Sequence, residues 1–197
     1  FDNGAFDYAL QQEANGNENY IKSLDLLDQS KVTAVLSQLN IAQNGVSADD
    51  LYYGSKLPFA YNYVDKNTDV THDNDTQSEH GSHVAGIAAA NKYVPQTDGD
   101  ETTYVSALDT VKTQGVAPEA QLLVMKVFGS NGGAFDSDYM AAIEDAIVLG
   151  ADSINLSLGS SYPGPSKYTA YMDADTDPVP VYQAILDSLA SKDAVVS

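Results

Sequence analysis

The pattern of apolar and polar positions divides the chain into a helical first part and a longer part in which strands and helices alternate. Between residues 8 and 40, apolar side chains recur three or four positions apart, for example at Val32, Val35 and Leu39. This spacing places them on one face of a helix. Residues 41–58 are polar and rich in turn-forming residues. The sequence therefore predicts helix over 8–40 and an irregular segment up to residue 58.

Short apolar runs from residue 59 onward predict strands, and longer periodic segments between them predict helices. The run 122–128 is almost continuously apolar, which is typical of a buried parallel strand. Strands that alternate with helices indicate an α/β fold, with a parallel sheet covered by helices on both faces. The predicted strands are 59–64, 122–128, 153–158 and 193–197, the predicted helices are 80–91, 138–149 and 180–192, and the predicted loops are 65–79, 92–114 and 159–178.

The predicted helix 138–149 carries its own boundary signals. Asp136 or Ser137 is a candidate N-cap, and Gly150 is a candidate C-terminal stop. The side chains expected to face inward are Met140, Ile143 and Ile147.

Composition limits the classes of function. The 197 residues suit one domain, and 43% of them are hydrophobic without any apolar run of membrane-spanning length. The net charge of −19 repels nucleic acid and anionic membranes, so we expect neither as a partner. The absence of cysteine excludes disulfides, thiolate zinc sites and cysteine nucleophiles. Because the chain opens without Met, we expect it to begin inside a longer protein.

The segment 79–91 (Glu-His-Gly-Ser-His-Val-Ala-Gly-Ile-Ala-Ala-Ala-Asn) carries the strongest chemical signal. It places His80 at a helix start, ahead of small residues that let the helix pack closely. The positive end of the helix dipole disfavours the imidazolium form, which suits a general base. A helix-capping or solvent-exposed histidine is the alternative. His83 lies three residues on, but no third ligand follows at helical spacing, so we expect a buried, hydrogen-bonded support and no zinc site.

Three ordered blocks resemble the subtilisin-like serine proteases, or subtilases. Residues 80–86 (His-Gly-Ser-His-Val-Ala-Gly) are similar to the histidine motif of that family, with Ser82 at a position that is usually Thr. Residues 115–128 are similar to the strand after the catalytic helix, and residues 151–159 to the substrate-binding strand. The resemblance covers 59–197 and is strongest to the branch of cell-envelope proteinases of lactic acid bacteria and streptococcal C5a peptidases. It implies a three-layer subtilisin-like α/β fold, with 8–58 as a helical insertion.

The same resemblance implies roles for individual residues. His80 corresponds to the general base of a serine endopeptidase that hydrolyses polypeptide substrates. The resemblance also implies two substrate-binding segments. Ser157, Leu158 and Gly159 correspond to the primary specificity pocket, for which an ordinary strand end is the alternative. Gly132 and Gly133 correspond to the opposite side of the cleft, for which a plain loop after a strand is the alternative.

Parts of the family pattern are not found in these residues. Asp2 lies in an Asp-x-Gly match, but Phe1-Asp2 fits the position that follows the catalytic motif, so we expect the triad aspartate before residue 1. No Gly-Thr-Ser-Met nucleophile motif or oxyanion-hole Asn follows Val196. We therefore expect a catalytic domain truncated at both ends. A non-catalytic pseudoprotease or peptide-binding module on the same fold is the alternative.

Cofactor and location are the last expectations. Serine-protease chemistry requires no cofactor, although the acidic loop 65–75 leaves a structural Ca²⁺ as an alternative. That loop lacks the EF-hand spacing and is expected to be solvated, as is 173–177. The segment 129–133 lacks the glycine pattern and the lysine of a phosphate-binding loop, which disfavours a nucleotide-binding domain. We expect a bacterial protein that is secreted or associated with the cell wall.

Overall fold

The structure is a computed structural model that describes residues 3–73, 79–158, 187–192 and 194–196. The strands are β1 (Phe59–Asn62), β2 (Tyr93–Asp98), β3 (Glu101–Ser106), β4 (Leu123–Lys126), β5 (Ser153–Ile154) and β6 (Val195–Val196). The helices are α1 (Ala5–Ala14), α2 (Glu18–Ser23), α3 (Gln29–Val35), α4 (Ala48–Leu51), α5 (His80–Ala89), α6 (Ala107–Thr110) and α7 (Asp136–Leu149), with further helical backbone at 187–191.

The predicted helical segment 8–40 consists of separate short helices because its own polar residues divide it. Asn15 ends α1 in a left-handed conformation, with φ of 46°. Side-chain oxygens of Asn17 and Asp28 then accept backbone N–H groups at the starts of α2 and α3, as N-caps do. The predicted irregular segment 41–58 contains α4, and 3-10 helices lie at Leu36–Gln38 and Asn40–Asn44.

Parallel strand pairing confirms the α/β class. β1 pairs with β4 in register from Phe59 opposite Leu123 to Asn62 opposite Lys126, and all of β1 is buried. β5 pairs in parallel with β6. The strand predicted over 153–158 is shorter than expected, because only its first two residues have strand backbone.

The prediction of a loop over 92–114 is wrong between residues 93 and 110, where β2, β3 and α6 lie. β2 and β3 form an antiparallel hairpin that pairs Tyr93 with Ser106 and Asp98 with Glu101. The two-residue connection starts at Gly99, whose φ of +60° suits the turns that join twisted strands. Tyr8 of α1 stacks on Tyr104 of the hairpin, with ring centroids 4.8 Å apart. The sequence did not predict this hairpin, because its threonine and acidic residues interrupt the apolar pattern.

The C-terminal stop predicted for helix α7 is confirmed, but its predicted N-cap is wrong. Gly150 terminates it with φ of 84°, and its N–H bonds to carbonyls of the last turn. The N-cap is Phe135, so the assignment to Asp136 or Ser137 is wrong: the extended backbone that precedes the helix ends one residue earlier. Of the predicted inward side chains, Ile143 is buried, while Met140 and Ile147 are half-buried and pack around Ile143 and Leu189.

One hydrophobic core joins the N-terminal helices to the sheet. It contains Val32, Ile41 and Leu51 together with Phe59 of β1 and Leu149 of α7. Within the described ranges, none of the helices has the length and apolar character needed to cross a membrane.

Candidate active site

His80 is the first residue of α5, and its side chain is exposed. The preceding residue, Glu79, is the N-cap but makes no side-chain capping bond. Within the described part of the chain, the imidazole of His80 has no hydrogen-bond partner. An exposed imidazole at an uncapped helix start is free to exchange a proton with a group that approaches it.

The other end of α5 is fixed by backbone hydrogen bonds from the segment 115–117. Gly115 N–H donates to Ala90 O at 2.9 Å, Val116 N–H to Ile87 O at 2.9 Å, and Ala117 N–H to Ala88 O at 2.8 Å. Carbonyls in the last turn of a helix have no partner within the helix. The segment 115–117 therefore completes the C-terminal end of the helix that carries His80.

The approach between these two segments is close enough to require glycine. A Cβ atom at Gly115 would lie 2.3 Å from Ala90 N and 2.5 Å from Ala89 Cα. Both contacts are with backbone atoms, which cannot turn aside as a side chain can. Gly115 thus fixes the distance between α5 and the chain that leads into β4.

His83 does not have the buried position that we expected. Its side chain is 75% exposed, and its Nε2 lies 3.8 Å from Glu79 Oε2. The other carboxylate oxygen of Glu79 lies 3.7 Å from Nε2 of His72. The described chain contacts the opposite, small-residue side of α5, where Ala89 is buried, and so leaves His83 facing solvent.

The glycine-rich loop after β4 is closed by its own backbone and held by the loop after β1. Gly132, with φ of 75°, donates to Gly129 O, and Gly129 N–H donates to Gly133 O, each at 2.9 Å. Ser130 N–H donates to Asp65 Oδ2 at 3.1 Å. The predicted cleft residues Gly132 and Gly133 therefore lie at the carboxyl end of the parallel pair β1 and β4, the edge where α/β folds place their ligands.

Asn62 is a structural residue that the sequence analysis missed. It is 2% exposed, and its side-chain nitrogen donates to Asp65 Oδ2 and Asp69 O, each at 3.0 Å. Its side-chain oxygen accepts Asp65 N–H at 3.0 Å. The described part of the acidic loop is thus folded around a buried amide. The signal in the sequence was an asparagine inside an apolar strand.

The predicted substrate segment at Ser157, Leu158 and Gly159 is only partly described. Ser157 is exposed and its Oγ accepts a hydrogen bond from Asn155 Nδ2 at 2.9 Å, while Leu158 is 39% exposed. Gly159 lies outside the described residues, as do Asp2 and the acidic run 173–177. Among the described residues, no hydrogen bond joins His80 to the cleft candidates, and no group of three His, Asp or Glu is arranged to hold a metal ion.

A comparison of the whole sequence with known proteins identifies the family of this chain. Residues 33–187 match the subtilase family. The chain belongs to the subtilase family. The boundary at residue 59 between a helical insertion and a subtilase core stays a prediction.

Named relatives of this subtilase chain are proteases. It is 42% identical over 112 residues to the PI-type proteinase of Lactococcus lactis subsp. cremoris, a stretch that covers 55% of this chain and 5% of that protein. It is 36% identical over 115 residues to the minor extracellular protease Vpr of Bacillus subtilis, covering 56% of the chain and 12% of the relative. A third relative is the C5a peptidase of Streptococcus pyogenes, 40% identical over 84 residues, covering 42% and 6%. The matched stretches are thus a small part of each relative.

Proposed function

We propose that this chain contributes the general base and part of the substrate cleft to a serine-type endopeptidase. The observation that carries the proposal is the placement of His80: an exposed imidazole begins a helix whose other end is bonded to the segment 115–117. Membership of the subtilase family and the proteinase relatives support the same chemistry.

In the proposed reaction, His80 takes the proton of a serine hydroxyl as that oxygen attacks the peptide carbonyl. It then gives the proton to the leaving amine, which breaks the peptide bond and leaves an acyl-enzyme for water to hydrolyse. The serine and the triad aspartate are expected from other parts of the protein. The chemistry needs no cofactor, and a structural Ca²⁺ is outside this proposal.

The substrate is an extended polypeptide. We propose that Gly132 and Gly133 line one side of the cleft and that Ser157, Leu158 and Gly159 line the other, so that the substrate backbone is held as an added strand. The loop geometry around Gly129 supports the first assignment, because it is closed by backbone bonds and tied to Asp65. We also propose a secreted or cell-wall-associated bacterial protein, which the extracellular Bacillus relative and the acidic composition support.

The test uses the intact protein that contains this chain, with casein as substrate and a fluorophosphonate as a serine-reactive label. His80→Ala is expected to lower turnover by on the order of 10⁴-fold or more, because the serine loses its base. It is also expected to suppress labelling. His72→Gln is the matched control, since it removes a nearby imidazole of the same exposed surface and should leave both readouts unchanged.

Two results would contradict the proposal. Turnover that survives in His80→Ala would mean that another group is the base. An intact protein that binds casein peptides but neither cleaves them nor reacts with the fluorophosphonate would favour the alternative of a non-catalytic peptide-binding module.

A further inference from the structure

We propose that Lys56 is a positioning residue that sets the placement of the histidine helix through the segment 115–122. The inference rests on the proposed function for its catalytic consequence. Lys56 lies outside the motifs that the sequence analysis singled out, three residues before the start of β1. It touches neither His80 nor the cleft candidates among the described residues.

The side chain of Lys56 is fully buried, which is unusual for a lysine. Its Nζ donates to Pro118 O at 2.8 Å and to Ala120 O at 2.6 Å. Nζ also lies 5.0 Å from the centre of the Phe6 ring, so that an aromatic face covers it. A buried ammonium that bonds two carbonyls costs desolvation free energy, which an apolar residue of the same length would avoid.

Unlike an apolar residue, lysine provides hydrogen bonds that fix the positions of the groups that accept them. Its donors bind two carbonyls that are two residues apart, and its own backbone oxygen accepts Leu122 N–H at 2.9 Å. Lys56 therefore holds the turn 118–120 from the side chain and the start of β4 from the backbone. The carboxylate of Glu119, between the two bonded residues, pairs with Lys92 instead, at 3.4 Å.

The segment held by Lys56 is continuous with the one that completes α5. Residues 115–117 donate to carbonyls of α5, and the next residues, 118–120, accept from Lys56. Helix α5 has no side-chain N-cap, and within the described residues it fully buries only Ala89. The bonds from 115–117 are thus its main attachment, and a shift of the turn 118–120 would move the helix and His80 with it.

The first test separates positioning from folding in the intact protein. The variants are Lys56→Met, which keeps length and apolar stem but removes the donors, and Lys56→Arg, which keeps donors. The value of kcat is divided by the number of active sites titrated with a fluorophosphonate, so that misfolded molecules do not count. We expect Lys56→Met to lower kcat per site about tenfold, with KM changed less than twofold. We expect Lys56→Arg to keep kcat per site within about threefold of the value of the unmodified protein. Lys22→Met, at an exposed position, is the matched control.

A purely structural lysine would give a different result. Unchanged kcat per site in Lys56→Met, or an arginine variant no better than the methionine variant, would overturn the inference. An intact parent protein without turnover would instead contradict the proposed function.

The second test does not depend on activity. Amide hydrogen exchange, measured by mass spectrometry on the intact protein, should rise at least tenfold over residues 80–91 and 113–122 in Lys56→Met, relative to the helices of residues 5–35. Unchanged protection in both segments would overturn the inference whether or not the protein cleaves peptides.

Discussion

The carboxylate of Asp145, in α7, accepts the backbone N–H of Asn40 at 2.6 Å and so caps the start of a 3-10 helix that lies far away in sequence. Its other oxygen accepts Tyr63 O–H at 3.0 Å. Asp145 is fully buried. One carboxylate thus links the N-terminal helices, the end of β1 and α7.

Two substitutions of Asp145 should separate the contribution of its hydrogen bonds to the free energy of unfolding from the contribution of its charge. Asp145→Ala leaves the Asn40 N–H and the Tyr63 hydroxyl without their partner and should lower the free energy of unfolding by about 2–4 kcal/mol. Asp145→Asn retains an acceptor for Asn40 and can donate to the Tyr63 oxygen, so the loss should stay within about 1 kcal/mol. Urea unfolding of the intact protein, followed by fluorescence, measures both. Equal losses would mean that the charge itself stabilises the fold.

Asp145 should also give the fold a pH dependence. Burial raises the pKa of its carboxyl above the ordinary value of 3.8. As pH rises from about 3.8 to the folded-state pKa, the native state keeps a proton that the unfolded state has lost, so the free energy of unfolding falls. The contribution of the raised pKa is therefore largest in acid and is lost as pH rises through that window. Asp145→Asn should abolish this part of the slope, and a mutant with the unchanged slope would contradict the assignment.

Lys56 should make the free energy of unfolding rise with pH in the alkaline range, opposite to the effect of Asp145 in acid. Burial lowers the pKa of Lys56 from 10.5 to about 8, partly offset by the nearby carboxylate of Glu119. Between these values the unfolded state holds a proton that the native state has released, so the free energy of unfolding rises with pH, by at most about 1.4 kcal/mol per pH unit. Melting temperatures from pH 7.5 to about 9.5 should show this rise relative to Lys56→Met. Parallel curves for the two proteins would contradict it.

Gly115→Ala tests the close approach of the chain to α5. The added methyl would meet backbone atoms of Ala89 and Ala90, so we expect a loss of about 2–3 kcal/mol in the free energy of unfolding. Gly133→Ala is the matched control, because a Cβ there meets nothing within 4 Å and the backbone φ is not positive. Denaturant unfolding of both variants provides the comparison. A Gly115→Ala protein as stable as the control would show that the two segments can separate without cost.

Gln121 should anchor the N-terminal helices. Its side-chain amide accepts Leu27 N–H at 2.7 Å and donates to Leu27 O at 2.9 Å and Ser55 O at 2.6 Å. Gln121→Glu replaces the donor with a charged oxygen that faces two carbonyls, and should cost about 2–3 kcal/mol. Limited proteolysis should then cut faster within residues 15–30, whereas Gln96→Glu, at an exposed hairpin position, should leave the cleavage rate unchanged. Equal rates in both variants would exclude an anchoring role.

Asp65 should affect substrate binding more than chemistry. Asp65→Ala removes the acceptor of Ser130 N–H and of the Asn62 side chain, and so releases the glycine-rich loop. For peptide hydrolysis by the intact protein we expect KM to rise about threefold to tenfold, with kcat changed less than twofold. Asp73→Ala, at an exposed position of the same loop, is the control. A fall in kcat at constant KM would place Asp65 nearer the reacting groups than proposed.

Apolar runs were sufficient to predict the strands at Phe59 and Leu123, because burial on a parallel sheet needs uninterrupted apolar side chains. The run of small residues after His80 was sufficient to predict the start of α5. The hairpin of β2 and β3 was missed because solvent-facing strands carry threonines and acids instead. Lys56, Asn62 and Asp145 were missed for another reason: each is a polar residue whose burial depends on a partner distant in sequence. The exposure of His83 likewise depends on which side of α5 the described chain covers.

The attachment of α5 through Gly115 and of the following turn through Lys56 also constrains where the length of the chain can change. Both ends of the stretch from Gly115 to Leu122 are bonded to fixed neighbours, so an inserted or deleted residue there would break one set of bonds. The tip of the hairpin at Gly99 and Asp100 is exposed, and the residues of the hairpin that contact α1, Tyr93 and Tyr104, lie away from it. We therefore expect an epitope tag inserted at that tip to disturb the helix that carries His80 less than an insertion between Gly115 and Leu122.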